Sequence, residues 1–180
     1  MKKLLSLLIT TLLISACTSA TKVNTSGFVA PCDQIKLAES AEKSAVLPGL
    51  DGSGENNFHQ VKGPLVINVW GSWCEGCKQE MPYFVELYQN PVFKSGQIQM
   101  LGVNVEEKSK EDAIEYIKKS GMSWPNLVDT SGVSKSIFGP GVPVTWFIDK
   151  EGKNVATKTG AYTNKQQLFD QFEKAFGVKL

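Results

Sequence analysis

The stretch "VWGSWCEGCKQEMP", residues 69–82, decides the reading of this chain, because it sets two cysteines three positions apart where one kind of local structure gives way to another. The residues leading into it, "PLVINVW" at 64–70, are a continuous apolar run that suits a strand buried on both faces. A helix is expected to follow Cys74 and to continue through "CKQEMPYFVELY", with a kink at Pro82, which removes a backbone donor and crowds the preceding turn. Cys74 therefore stands where a helix begins. The N–H groups of a first helical turn lack intrahelical partners and carry the positive end of the dipole, so both stabilise a thiolate at Cys74. A thiol with a pKa of about 8.5 is only about 3% ionised at pH 7, whereas one lowered to about 7 is half ionised. The surface dipole supplies roughly 0.3 to 1 kcal/mol, less than one pKa unit, so local hydrogen bonds must provide any larger shift. Residues i and i+3 share a helix face, which lets Cys77 reach a mixed disulfide on Cys74 and release its partner. Cys74 is thus the candidate attacking sulfur and Cys77 the candidate resolving one.

Two other uses of paired cysteines fit less well. A structural crosslink across three residues closes a very short loop and gains little entropy. A metal carrier would need further ligands, and the only histidine, His59, lies upstream of the pair, so no metal site is expected.

Outward from the dithiol the chain alternates strands and helices. "AVLPGLDGSGENNF" has turn signals at Pro48-Gly49 and Asp51-Gly52 and predicts a short hairpin ahead of the main fold. "IQMLGVNV" at 98–105 is the next strand, and Ser109 with Asp112 opens a helix over "EDAIEYIKK" that Gly121 can end. "NLVD" is a short strand and "GVSKSIFG" a short helix or turn. "VTWFID" and "NVATKTGA", joined by "DKEG", predict an antiparallel hairpin. Thr163 and Gln166 suggest a cap for the last helix, whose core face carries Leu168, Phe169, Phe172 and Phe176. A central mixed sheet flanked by helices on both faces buries these elements.

The chain has 180 residues, 42% hydrophobic and 21% charged, which suits one compact domain. It opens with "MKKLLSLLITTLLISAC": two lysines, an apolar run with the proportions of a signal peptide, and small residues ending at Cys17. "LISAC" resembles the lipobox of bacterial lipoproteins, which implies cleavage after residue 16 and lipidation of Cys17. Loss of Lys2 and Lys3 leaves 17 of the 19 basic side chains against 18 acidic ones, so nothing recruits nucleic acid by charge. Residues 18–31, rich in Thr, Ser, Ala and Gly, read as a flexible tether. The expected organisation is a signal peptide at 1–16, a lipid-anchored N-terminus and tether at 17–44, and a domain at 45–180. That domain is expected at the cell membrane, facing outside the cytoplasm, where disulfides persist.

From about residue 45 to its end the chain resembles the TlpA/ResA group of exported, membrane-tethered thioredoxin-fold thiol-disulfide oxidoreductases. The resemblance rests on "LVINVWGSWCEGCKQEMPYF", "LGVNVEEKSKEDAIEYIKKSGMSWPNLVD" and "GVPVTWFIDKEGK", in the family's order and spacing. It implies an α/β thioredoxin-like fold, a redox-active Cys74-Cys77 disulfide, and no further cofactor. It implies that Pro143 is a cis-proline facing the dithiol and that the Val142 backbone pairs with an extended substrate peptide. Trp73 is expected to flank the active sulfur and touch substrate. The implied role is reduction of protein disulfides such as those of apocytochrome c, with recharging by a membrane electron donor of the thioredoxin-reducing type. The alternative is an oxidase or general disulfide exchanger for secreted proteins, because direction depends on a potential in which about 30 mV is worth about 1.4 kcal/mol.

The departures from the wider pattern matter. Thioredoxin carries an Asp six residues before its first active cysteine, and here that position is Asn68, which cannot take a proton. Glu80, three residues after Cys77, is the candidate proton carrier, against the plainer reading of a solvated helix carboxylate. Glu75 would oppose a thiolate at Cys74 by like charge. Gly76 replaces the family's usual Pro and loosens the turn. Cys32 is left over, and a free thiol, an intermolecular link and a transient partner of the active site all remain open for it.

Overall fold

The computed structural model describes residues 26–38, 45–57 and 60–180. Its centre is a five-stranded mixed sheet in the order β5-β4-β3-β6-β7. These strands are β3 (Leu65–Trp70), β4 (Gln99–Val105), β5 (Asn126–Asp129), β6 (Val144–Ile148) and β7 (Asn154–Thr159). The hairpin expected ahead of the sheet is present as β1 (Val46–Pro48) paired antiparallel with β2 (Glu55–Asn57). β3 is buried along its whole length, as its unbroken apolar run requires, and pairs parallel with β4 and antiparallel with β6.

Three helices cover one face: α1 (Glu75–Leu87), α3 (Lys110–Ser120) and α5 (Lys165–Phe176). They bury Met81, Phe84, Ile117, Leu168 and Phe172 against Val66, Trp70 and Phe147 of the sheet. The short α4 (Ser134–Phe138), the β1-β2 hairpin and the N-terminal segment cover the other face, over Ile67, Val103 and Leu127. The chain thus has the α/β thioredoxin-like architecture expected, with an uneven division of helices.

Local signals hold with small corrections. Ser109 caps α3 by accepting the Asp112 N–H at 3.2 Å, and Gly121 ends that helix in the left-handed conformation at φ 87°. The cap of α5 is Asn164, whose Oδ1 accepts the Gln167 N–H at 3.1 Å, one residue later than the expected Thr163. Within α5 only Leu168 and Phe172 are fully buried, and Phe169 and Phe176 pack at the margin. The helix α1 continues across the exposed Pro82 to Leu87 without interruption. The turn α2 (Pro91–Lys94) was not expected, although Asn90 as cap and Pro91 at the first position are its sequence signals.

The expected tether needs correction over residues 26–38. Gly27 N–H donates to Lys118 O and Phe28 N–H to Met122 O, both at 3.0 Å, so this segment satisfies one carbonyl in the last turn of α3 and another just beyond the helix. Ala30 bridges Pro125, and Leu37 bridges Val61. Cys32 and Ile35 are buried against the sheet. The linker reading rested on the composition of residues 18–31, whereas the buried positions of the docked segment are Ala30 and, beyond that stretch, Cys32 and Ile35. The signal peptide and Cys17 lie outside the described residues.

A chain beginning at residue 45 is therefore expected to be less stable than one beginning at residue 26, by about 2 to 4 kcal/mol for the burial of Ile35 and its neighbours. Urea unfolding of both forms measures the difference, and equal midpoints would show that the segment contributes nothing.

Candidate active site

The end of β3 delivers the chain to the start of α1, and the dithiol occupies that junction. Cys74 is the N-cap of α1, and its sulfur accepts the Cys77 N–H at 3.1 Å. One of the first-turn donors thus points at the sulfur that would carry charge after reduction. Cys74 and Cys77 form a disulfide, with Cα atoms 5.3 Å apart. Cys74 keeps 5% of its surface in solvent and Cys77 none, so only the first sulfur can be approached from outside. Glu75 lies beyond it on the exposed surface, 3.8 Å from Lys78 Nζ, a separation and exposure at which an ion pair contributes little.

The segment before Cys74 is held from β4. Trp73 is 47% exposed, and its indole N–H donates to Val105 O at 3.2 Å. A Cβ on Gly71 would stand 2.5 Å from that indole nitrogen, so the ring lies where only glycine leaves room. Glu107, not expected from the sequence, accepts the Ser72 N–H at 2.6 Å, the Ser72 hydroxyl at 2.7 Å and the Asn104 amide at 2.7 Å. A contact across 35 residues leaves no local pattern by which to find Glu107.

Pro143 follows a cis peptide bond and is buried, with Val142 half-buried beside it. A Cβ on Gly76 would come within 3.4 Å of the Pro143 ring, which places the proline against the turn between the cysteines. Pro143 O accepts the Gly160 N–H at 2.9 Å, while the Val142 N–H and C=O make no backbone hydrogen bond among the described residues.

Glu80 is not solvated. It has no exposed surface and lies one helical turn beyond Cys77, on the same buried side of α1. Asn68 Nδ2 donates to its Oε1 and the Tyr162 N–H to its Oε2, each at 3.0 Å. Burial pushes the carboxyl up to about 7, against the opposing pull of the Tyr162 N–H, the Asn68 amide and the Lys158 charge. An Asp at position 68 would lose the amide donor and set a second carboxylate against the first, so the Asn suits a site whose acid is on the helix.

Cys32 is 2% exposed and donates its thiol to Asn126 O at 3.3 Å, while its N–H donates to Asp51 Oδ2 at 2.8 Å. Burial, with the neighbouring Asp51 charge, pushes the thiol up to about 11. It is a neutral packing residue rather than an exchange partner.

Residues 40–156 match the AhpC/TSA family. The chain belongs to that family. It is 34% identical to the thiol-disulfide oxidoreductase ResA of Geobacillus thermodenitrificans over 122 residues, 67% of this chain and 68% of that one. It is 30% identical to ResA of Bacillus anthracis over 143 residues, 78% and 79% of the two chains. Among solved structures, dsbF of MTB superposes with TM-score 0.62 at 22% identity, covering 74% of this chain and 96% of that one. StoA of Bacillus subtilis gives TM-score 0.56 at 22% identity, covering 72% and 96%. These likenesses show the fold, and the ResA relatives together with this chain's own Cys74–Cys77 disulfide show a ResA-like thiol-disulfide oxidoreductase.

Two outcomes are expected. Glu80 binds its proton more tightly in the folded chain than at its ordinary value of 4.5, so its contribution to stability is full below about pH 4.5 and is lost as pH rises through about 7. The oxidised protein should lose up to about 3 kcal/mol across that window relative to Glu80→Gln, and parallel stability curves for the two would rule the titration out. Iodoacetamide at pH 8 should leave Cys32 unmodified in the native oxidised protein and label it fully in urea, read by peptide mass. Rapid native labelling would contradict its burial.

Proposed function

We propose that this protein is a membrane-tethered reductant of protein disulfides outside the cytoplasm, held to the membrane by a lipid on Cys17. The observation that carries the reading is the buried carboxylate of Glu80 one turn beyond the buried Cys77, behind a first sulfur that alone reaches the surface. A site that exchanges disulfides with a protein must move a proton to or from its resolving thiol while the substrate covers the opening. Glu80, titrating near neutral pH, is suited to that work.

In the forward direction the Cys74 thiolate attacks a substrate disulfide, forming a mixed disulfide and expelling one substrate thiolate, which takes a proton from solvent. Glu80 accepts the Cys77 proton, and the Cys77 thiolate attacks the Cys74 sulfur. The bond between Cys74 and substrate breaks, and its electron pair leaves on the second substrate sulfur, which is protonated in turn. The substrate gains two electrons and two protons, and the protein keeps the Cys74–Cys77 disulfide. Val142 offers an extended peptide backbone groups that make no backbone hydrogen bond among the described residues, Pro143 packs against the turn that carries the sulfurs, and the exposed Trp73 supplies an apolar contact. The dithiol carries the electrons without another cofactor. The ResA-like resemblance supports apocytochrome c as the substrate, with its haem-binding cysteines kept reduced, and a membrane electron donor of the thioredoxin-reducing type as the source of electrons.

The deciding measurement is the equilibrium potential of the Cys74–Cys77 pair against a dithiothreitol or glutathione series, with Cys17 and Cys32 replaced by Ser. A value of roughly −270 mV or lower is expected of a reductant, and a value near −120 mV would assign the protein to oxidation of secreted dithiols instead. Cys74→Ala should abolish exchange, and Cys77→Ala should stop the reaction at a mixed disulfide that denaturing gels detect.

A further inference from the structure

The buried Glu80 sits above a row of polar positions that crosses the whole sheet. Strand register aligns Asn126 with Gly102, Gly102 with Asn68, Asn68 with Thr145, and Thr145 with Lys158. The first four are fully enclosed or, for Gly102, covered by the Asn126 side chain, whose Oδ1 a Cβ would meet at 1.7 Å. Lys158 ends the row half-buried on the edge strand β7, from which a lysine would ordinarily extend its ammonium into water. Here its Nζ instead lies 5.7 Å from the centre of the Tyr162 ring and bonds to Thr159 O at 3.3 Å. Tyr162 is the residue whose N–H holds Glu80 Oε2, so carboxylate and ammonium both bear on the same buried residue, one at its backbone and the other at its ring.

We propose that Lys158 is a positioning residue whose ammonium is the counter-charge of the buried Glu80 carboxylate, and that it governs the pH range in which Cys77 resolves the mixed disulfide. The proposal rests on the reading of Glu80 as the acceptor of the Cys77 proton. The titratable groups facing Glu80 are Cys77 on its own helix, Tyr116 from α3, Tyr162 after β7 and Lys158 from β7. β3 and β6 present the uncharged Asn68 and Thr145, and α5 presents Gln171, which accepts the Tyr162 hydroxyl at 2.6 Å. Burial, helped by the Glu80 charge, pushes the Tyr116 phenol up to about 12 and raises that of Tyr162 further, so both are neutral in the working range. Among the described residues Lys158 is then the one cation whose field favours the ionised carboxylate. Without it, burial and two neutral donors alone decide when Glu80 can accept a proton.

The test is the reaction of the reduced full-length protein, with Cys17 and Cys32 replaced by Ser, with Ellman's reagent. Attack by Cys74 releases the first thionitrobenzoate, and attack by Cys77 on the resulting mixed disulfide releases the second. Stopped-flow rates of the second release are measured from pH 5 to 9 for the parent, Lys158→Met, Lys158→Arg and Glu80→Gln. Lys158→Met should move the inflection to higher pH and slow the second release below it, on the order of threefold, as removal of one nearby charge predicts. Lys158→Arg should restore the parent profile, and the rate of the first release should not change. A Lys158→Met profile superimposed on the parent, with the inflection still lost in Glu80→Gln, overturns the counter-charge proposal and leaves the role of Glu80 standing. An inflection retained in Glu80→Gln overturns the proton-transfer reading and the proposal with it. Carbon NMR titration of the Glu80 carboxyl in the oxidised protein provides a readout free of turnover. An upward shift in Lys158→Met supports the proposal, and an unchanged midpoint overturns it.

Discussion

A carboxylate with no exposed surface must find its donors inside the protein, and Glu80 imposes that demand on three elements at once. β3 answers with the Asn68 amide, the turn after β7 answers with the Tyr162 N–H, and α1 must hold Glu80 at the depth where both can reach it. Leaving such a group unpaired would be strongly unfavourable, so the packing of α1 on the sheet and the path of the chain after β7 are not independent choices. The same helix begins at Cys74. Fixing Glu80 therefore fixes where the dithiol lies relative to the sheet, and the pairing of β6 with β3 brings Pro143 to the same end.

The two cysteines are alike in chemistry and different in surroundings. Cys74 caps the helix, takes an N–H from Cys77 and keeps a little exposure, while Cys77 is enclosed beside Glu80. In the proposed mechanism this asymmetry separates attack from resolution. The segment before Cys74 is tied to β4 by Glu107 and by the Trp73 indole, so the outer sulfur is presented from a fixed loop rather than a loose one. Preorganisation of this kind lowers the ordering cost of each encounter.

Much of the fold was legible because its signals are local. The apolar run of β3, the Ser109 cap, the turn residues of both hairpins and the CxxC at a strand-to-helix junction all act within a few residues. Reading failed where the physical cause lay elsewhere in the chain. The Thr-, Ser-, Ala- and Gly-rich composition of residues 18–31 reads as a linker, yet from residue 26 onward the chain docks on carbonyls at and just beyond the end of α3 and on the sheet face. Cys32 could not be assigned because burial against Asn126, some 94 residues away, is what makes it inert.

The sequence by itself determined the chemistry available: two thiols at i and i+3, a helix start beneath the first, a carboxyl one turn beyond the second, and a proline before a hairpin. Each depends only on spacing along a regular element, which the backbone geometry of helices and strands sets without reference to the rest of the molecule. The tertiary structure decided what those groups do to one another. It made Glu80 a buried acid rather than a solvated one, brought Lys158 into its field, and clamped Ser72 with Glu107. Burial and electrostatic environment are sums over neighbours brought together by packing, and no single stretch of sequence carries them.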